Sequence, residues 1–173
     1  YKDNMIEITD LGDKSFYDYI KNKKNKLKDY KKLIELIIKL QKIKLKNQYY
    51  FSGKKIKFAK YSLKYLHKES DLFFDWYLPG VLGKKNSLKY KKIIKKELNK
   101  LYKMITLKNQ FIVHRDFHVS NIIPVDNKLG IIDTQDVIIG NPMYDLASLL
   151  DDVRVKVPLQ IKKKAFITRF CRN

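Results

Sequence analysis

The chain has 173 residues and a formal charge of +20, enough length to bury a core as one domain or as one lobe of a larger enzyme. Of its 38 basic residues only Arg115, Arg154, Arg169 and Arg172 are arginines, and lysine without arginine serves solubility better than bidentate phosphate recognition, so the charge reads as AT-rich coding and not as a nucleic-acid surface. Cys171 is the only cysteine, which excludes an internal disulfide framework and fits a reducing, cytoplasmic setting; no apolar run approaches the roughly 20 residues that span a bilayer, so no membrane partner is expected.

In chain order, Met5-Ile6-Glu7-Ile8-Thr9 alternates like a strand, and Asp10-Leu11-Gly12-Asp13 breaks it. A short helix is expected over Lys14–Ile20, then a solvated Asn/Lys connection over Lys21–Lys28. From Asp29 to Leu45, Tyr30, Leu33, Ile34, Ile37, Leu40 and Ile43 recur at helical spacing and predict an amphipathic helix packed on the rest of the domain. A second helix is predicted over Tyr61–Leu78 with Pro79-Gly80 as its stop, and a third over Tyr90–Ile105 as its packing neighbour. No period of 20 to 50 residues recurs, so a solenoid is not supported.

After Gln110 the texture changes to short strands at Phe111–Val113, Asn121–Val125 and Leu129–Ile132, with Asp126-Asn127-Lys128 as the turn between the last two. Asn141 is expected to cap, and Pro142 to open, a helix over Met143–Asp151. The chain starts at Tyr1 and stops after an apolar helical run, so both ends are expected to be cut.

Chemistry concentrates in Val113-His114-Arg115-Asp116-Phe117-His118-Val119-Ser120-Asn121 and in Ile131-Ile132-Asp133-Thr134-Gln135-Asp136. Phosphoryl transfer needs a carboxylate to orient and deprotonate the attacking hydroxyl, and hard oxygen ligands to hold Mg²⁺ against ATP phosphates. Asp116 supplies the base; Asn121 and Asp133 supply the metal ligands. His114 and His118 beside Asp116 raise zinc as an alternative, which the oxygen donors disfavour. His114 reads as a structural loop residue and His67 as a surface residue. Gln135 and Asp136 read equally as substrate contacts or as strand-end residues, and Trp76 as core more than as a platform for the substrate.

These motifs resemble the aminoglycoside phosphotransferase and choline kinase group of the protein-kinase-like fold. Its His-x-Asp-x-x-x-x-Asn and Ile-Asp pattern is matched by His114, Asp116, Asn121, Ile132 and Asp133, and its Gly-x-Pro-x-x-Asp-Leu-Ala segment by Gly140 to Leu150. The resemblance implies an α+β fold: a protein-kinase-like C-terminal lobe, mostly helical, with a small β-hairpin region carrying the catalytic and metal loops. It implies ATP and Mg²⁺ as cofactors and a buried Asp145 bracing the catalytic loop. Residues 1–12 would be the end of the N-lobe strand and the hinge, with Glu7, Thr9 and Leu11 at the adenine, and residues 13–173 the helical C-lobe, incomplete at both ends.

Asp133-Thr134-Gln135-Asp136, Phe73 to Leu78 and Ile8 to Asp13 look most like the bacterial N-acetylmuramate/N-acetylglucosamine anomeric kinases of cell-wall recycling. In that likeness the acceptor is an amino sugar, Trp76 helps line its site, and the protein is a monomer with a small-molecule substrate. Aminoglycoside, choline or homoserine kinases of the same group, or a pseudokinase regulator, are the alternatives; a basic nucleic-acid-binding domain rests on charge alone. Neither Gly53-Lys54-Lys55 nor Gly83-Lys84-Lys85 completes a phosphate loop. The glycine-rich loop and its lysine are expected upstream, so this stretch alone is expected to be inactive.

Overall fold

Helices begin where the sequence provides caps. The computed structural model describes residues 8–44, 49–51, 53–105 and 110–170, and within them helices and short two-stranded sheets form an α+β arrangement. α1 (Phe16–Ile20) opens at Ser15, whose backbone N–H and hydroxyl both donate to the Asp18 carboxylate, at 3.3 and 3.1 Å. α2 (Leu27–Gln41) follows, with the Asn25 side-chain oxygen accepting the Leu27 N–H at 3.2 Å.

The apolar stripe of α2 behaves as its period requires: Tyr30, Leu33, Ile34 and Ile37 are buried. They join Phe16, Ile20, Phe117, Val119, Ile122, Leu146, Leu149 and Leu150 in the main core. The helix ends before the predicted limit. Ile43 lies beyond it and is 53% exposed, and Leu45 falls outside the described residues.

A small hairpin, β1 (Tyr49–Phe51) and β2 (Lys54–Ile56), precedes the second helical region. Here the expected stop at Pro79-Gly80 is corrected. α3 (Leu63–Leu72) runs into a π-helical segment, Phe73–Tyr77, and then into α4 (Leu78–Met104). Pro79 falls in the first turn after the π segment, where a missing N–H is tolerated as it is at a helix start. The break comes at Gly83, whose φ of 72° and ψ of 159° lie outside the helical region and suit glycine. Beyond it the chain returns along α3 as predicted: the His67 and Tyr102 rings meet edge to face at 5.0 Å, and Lys95 pairs with Asp71 at 2.5 Å. His67 is therefore a packing residue and not a purely surface one.

β3 (Phe111–Val113) pairs antiparallel with β6 (Ile138–Gly140), and β4 (Ile122–Val125) with β5 (Lys128–Ile131). The β4–β5 turn is Asp126-Asn127, with Asp126 at φ 51°, a conformation Asp tolerates. Asn141 is a turn residue: its side-chain oxygen accepts the Met143 N–H at 2.8 Å, and α5 (Tyr144–Leu150) starts after Met143. α6 (Leu159–Phe170) closes the described chain against α2, where Ile161 and Ala165 are buried.

The expected N-terminal strand is only partly testable. Met5, Ile6 and Glu7 lie outside the described residues, and the described part, Ile8–Leu11, is irregular. A strand is defined by a ladder partner, and among the described residues none pairs with this segment. No described helix is long and apolar enough to cross a membrane.

Candidate active site

Local chain geometry builds the centre of the site. β3 delivers His114-Arg115-Asp116 into a loop, and a single 3₁₀ turn, Val119–Asn121, carries the chain into β4. In that turn the Asn121 amide Nδ2 reaches back to the Asp116 carbonyl at 2.9 Å and across to Asp133 Oδ2 at 3.4 Å. One buried side chain thus touches the loop of one carboxylate and the head of the other, while Asp116 and Asp133 remain exposed.

Asp133 sits just past β5 in the left-handed region, at φ 66°, a conformation open to Asp at a small cost. The Gln135 amide donates to its Oδ1. The segment after β5 is tied to the His114–Asp116 loop by a second link, between His114 Nε2 and the Ile132 carbonyl at 3.0 Å. His114 is 1% exposed, so the structure places it as a loop support.

Asp145 lies at the start of α5 with no exposed surface. Its carboxylate accepts the backbone N–H of His114 at 2.9 Å and of Arg115 at 3.0 Å. Burial pushes its pKa above the ordinary carboxylate value, and the two N–H donors pull the other way. A buried carboxylate with two fixed donors is a strong brace for a loop, because breaking it leaves polar groups buried and unpaired.

Leu11 packs on the β4–β5 hairpin: a Cβ placed on Gly130 would lie 2.6 Å from its Cδ1. This is the one glycine whose small size admits the N-terminal segment. Thr9 is exposed nearby in sequence, and Glu7 lies outside the described residues. Trp76 is 78% exposed on the π-helical segment, so the core reading of this residue is corrected. The aromatic stack there is Phe73 on Tyr77, at 5.3 Å, and it leaves Trp76 outside.

The residues that sequence reasoning missed are Glu69, Arg115, Tyr61 and Tyr144. Arg115 holds φ 77° and donates through Nη2 to Glu69 at 3.2 Å, with Asp136 at 3.7 Å from Nη1. Burial opposes its charge, and the Glu69 hydrogen bond together with the charges of Glu69, Tyr144 and Asp136 overcomes it and raises the guanidinium pKa. Tyr61 and Tyr144 donate to the same Glu69 carboxylate at 2.5 and 3.3 Å. The only sequence signal was that Arg115 is an arginine beside Asp116 in a chain with few arginines. Glu69 carried none, because it occupies an ordinary polar position of a helix.

Asn121 and Asp133 form an oxygen-rich pair suited to Mg²⁺. Asn121 Nδ2 is committed to protein oxygens, which leaves its Oδ1 and the Asp133 carboxylate as hard oxygen donors. Among the described residues no three His, Cys, Asp or Glu side chains converge.

Comparison with known proteins agrees with the geometry. The profile of the phosphotransferase enzyme family matches residues 8–165. The N-acetylmuramate/N-acetylglucosamine kinase of Neisseria meningitidis serogroup B is 24% identical over 155 residues, which cover 88% of this chain. The chain spans 44% of the length of that relative.

Proposed function

This chain belongs to the phosphotransferase enzyme family, and we propose that it is the C-terminal lobe of an ATP-dependent kinase acting on a hydroxyl of an amino sugar. The observation that carries this reading is the Asn121 amide, bonded at once to the Asp116 loop and the Asp133 carboxylate. That contact holds the backbone of Asp116 near Asp133, which supports reading Asp116 as a proton acceptor close to a metal-binding pair, as in-line phosphoryl transfer requires.

Asp116 orients the acceptor hydroxyl and takes its proton as the oxygen attacks the terminal phosphate of ATP, whose bond to the bridging oxygen breaks to release ADP. Asn121 and Asp133 would hold a divalent metal, which would neutralise charge on the phosphates. Asp145 and His114 keep the loop in place through its backbone and through the Ile132 carbonyl. Leu11, seated on Gly130, and Thr9 before it are read as the hinge side of the nucleotide site, within a stretch, residues 1–12, read as the end of the N-lobe and the hinge; Glu7, the third residue of that reading, lies outside the described residues. Gln135 and Asp136 face the acceptor.

The amino-sugar acceptor rests on the Neisseria meningitidis relative, an N-acetylmuramate/N-acetylglucosamine kinase, and on the Asp133-Thr134-Gln135-Asp136 segment. The test uses the full-length protein with ATP and Mg²⁺ against N-acetylmuramate, N-acetylglucosamine, choline, homoserine and aminoglycosides. Phosphorylation of the amino sugars, lost by at least about 10²-fold in Asp116→Ala, supports the reading. Transfer to none of these acceptors, or wild-type turnover in Asp116→Ala, rejects it.

A further inference from the structure

A cavity of about 390 Å³ opens beside the catalytic loop, and its charged walls come from three separate segments. α3 contributes Tyr65, Lys68 and Glu69, the loop contributes Arg115, and the turn after Asp133 contributes Gln135 and Asp136. Its volume is within the range of small-ligand sites. Arg115 directly precedes the proposed base, and the Gln135 amide donates to the proposed metal ligand Asp133, so the cavity lining is linked to both.

The polar groups are arranged by one another. Arg115 lies between Glu69 and Asp136, and its guanidinium stands 5.8 Å from the centre of the Tyr65 ring. Its Nη2 donates to Glu69 and its Nη1 stands 3.7 Å from Asp136, so the guanidinium is held at its tip between the two carboxylates. Asp136 is 58% exposed at the side chain and its carboxylate is open to a ligand; Glu69 is 32% exposed and accepts from Arg115, Tyr61 and Tyr144, which leaves it little further capacity. Tyr65 stacks on Tyr61 at 5.8 Å and is thereby fixed as an aromatic wall.

We propose that Glu69, Arg115 and Asp136 form the specificity-determining cluster for the acceptor, and that this acceptor is a neutral or singly charged sugar ring, not a polycation. The inference deepens the kinase reading and rests on it. The Asp136 carboxylate accepts hydroxyl protons, the guanidinium donates to ring or amide oxygens, and an aromatic face covers the apolar side of a pyranose. Lys68 and Arg115 balance Glu69 and Asp136, so the lining is formally neutral. A polycationic antibiotic would need an excess of carboxylates that this wall does not have.

Arg115 and Glu69 also join α3 to the catalytic loop, so a purely structural role must be separated from recognition. The experiment uses the full-length enzyme with N-acetylglucosamine as probe, in two arms. Steady-state kinetics of Asp136→Asn and Glu69→Gln should show the acceptor KM raised about tenfold or more with the KM for ATP within twofold of wild type. Calorimetric binding of the sugar to Asp116→Ala should weaken by a similar factor when either substitution is added. Lys68→Glu should give the wall a net negative charge and tighten binding of kanamycin, the polycation probe.

If acceptor affinity stays within twofold in both Asp136→Asn and Glu69→Gln, or if the KM for ATP rises in step with that for the sugar, the cluster is not the specificity element. Should Glu69→Gln fail to fold because Tyr61 and Tyr144 share its carboxylate, the exposed Asp136→Asn decides alone. The calorimetric arm separates the two readings: sugar binding lost on these substitutions supports the cluster even where wild-type turnover is absent and the kinase reading fails.

Discussion

The carboxylate of Asp145 and the backbone N–H of Arg115, thirty positions apart in the chain, are joined at 3.0 Å in the interior. Arg115 carries a positive φ, and a non-glycine residue keeps such a conformation only where its surroundings impose it. Asp145 is one side of that imposition and Glu69 is the other. Asp116 follows immediately, so the backbone that carries it is anchored through Arg115 by Asp145 and Glu69.

Removing the brace should therefore cost both stability and rate. Asp145→Ala leaves two buried N–H groups unpaired and is expected to destabilise the fold by about 2–4 kcal/mol, measured by denaturant unfolding. In the fraction that remains folded, kcat should fall by at least about tenfold, since a loop misplaced by a fraction of an ångström loses the near-attack geometry. Unchanged stability together with unchanged kcat would show that the two N–H groups find other partners.

Asn121→Ala removes the link between the Asp116 loop and Asp133. Phosphotransfer by the full-length enzyme should drop by about 10² or more, and the half-saturating Mg²⁺ concentration should rise. Titrating Mg²⁺ at fixed ATP measures this. Recovery of full activity at high Mg²⁺ would indicate a role in metal affinity alone, with the Asp116 carbonyl contact dispensable.

Gly130→Ala tests the Leu11 seat. The added Cβ would meet the end of the Leu11 side chain at 2.6 Å; because that end is flexible, the stability cost should be small, under about 1 kcal/mol. Displacing Leu11 should nonetheless raise the KM for ATP while leaving the acceptor KM unchanged. The second substitution Leu11→Ala should restore room without restoring ATP affinity. An unchanged KM for ATP in Gly130→Ala would remove Leu11 from the nucleotide site.

Gly83→Ala isolates the hinge between the π-helical region and the long arm of α4. Nothing stands within 4 Å of the new Cβ, so any effect is backbone strain at φ 72°, ψ 159°, about 1–3 kcal/mol. Thermal unfolding should show the loss, and an unaltered midpoint would mean that the hinge relaxes into another conformation.

Tyr30 offers a test by pH. Its hydroxyl is buried with no partner, and burial, reinforced by the nearby Asp152, pushes its pKa up to about 12. An unfolded tyrosine ionises near pH 10. Between these values the unfolded state has released the proton and the folded state has not, so stability is complete below about pH 10 and falls as pH rises toward 12. Tyr30→Phe should flatten this alkaline loss and should be neutral or stabilising at pH 7, since it removes a buried hydroxyl that bonds nothing. A destabilised Tyr30→Phe at neutral pH would show that the hydroxyl is satisfied in solution.

The sequence by itself determined what short-range geometry controls. The interval from Asp116 to Asn121 is one loop and one 3₁₀ turn, so its spacing already dictates that the Asn121 amide can return to the Asp116 carbonyl. The stripe on α2 and the hairpin around Asp126-Asn127 were legible for the same reason: helical period and turn chemistry act over a few residues. Tertiary structure alone decided the rest. Glu69 reads as any polar helix residue until folding brings it 3.2 Å from Arg115, forty-six positions away. Trp76 has the composition of a core residue and yet faces out, and Pro79 has the signature of a stop and yet is carried through by the preceding π turn. Burial and long-range pairing depend on what packs opposite, and no local pattern encodes the opposite surface.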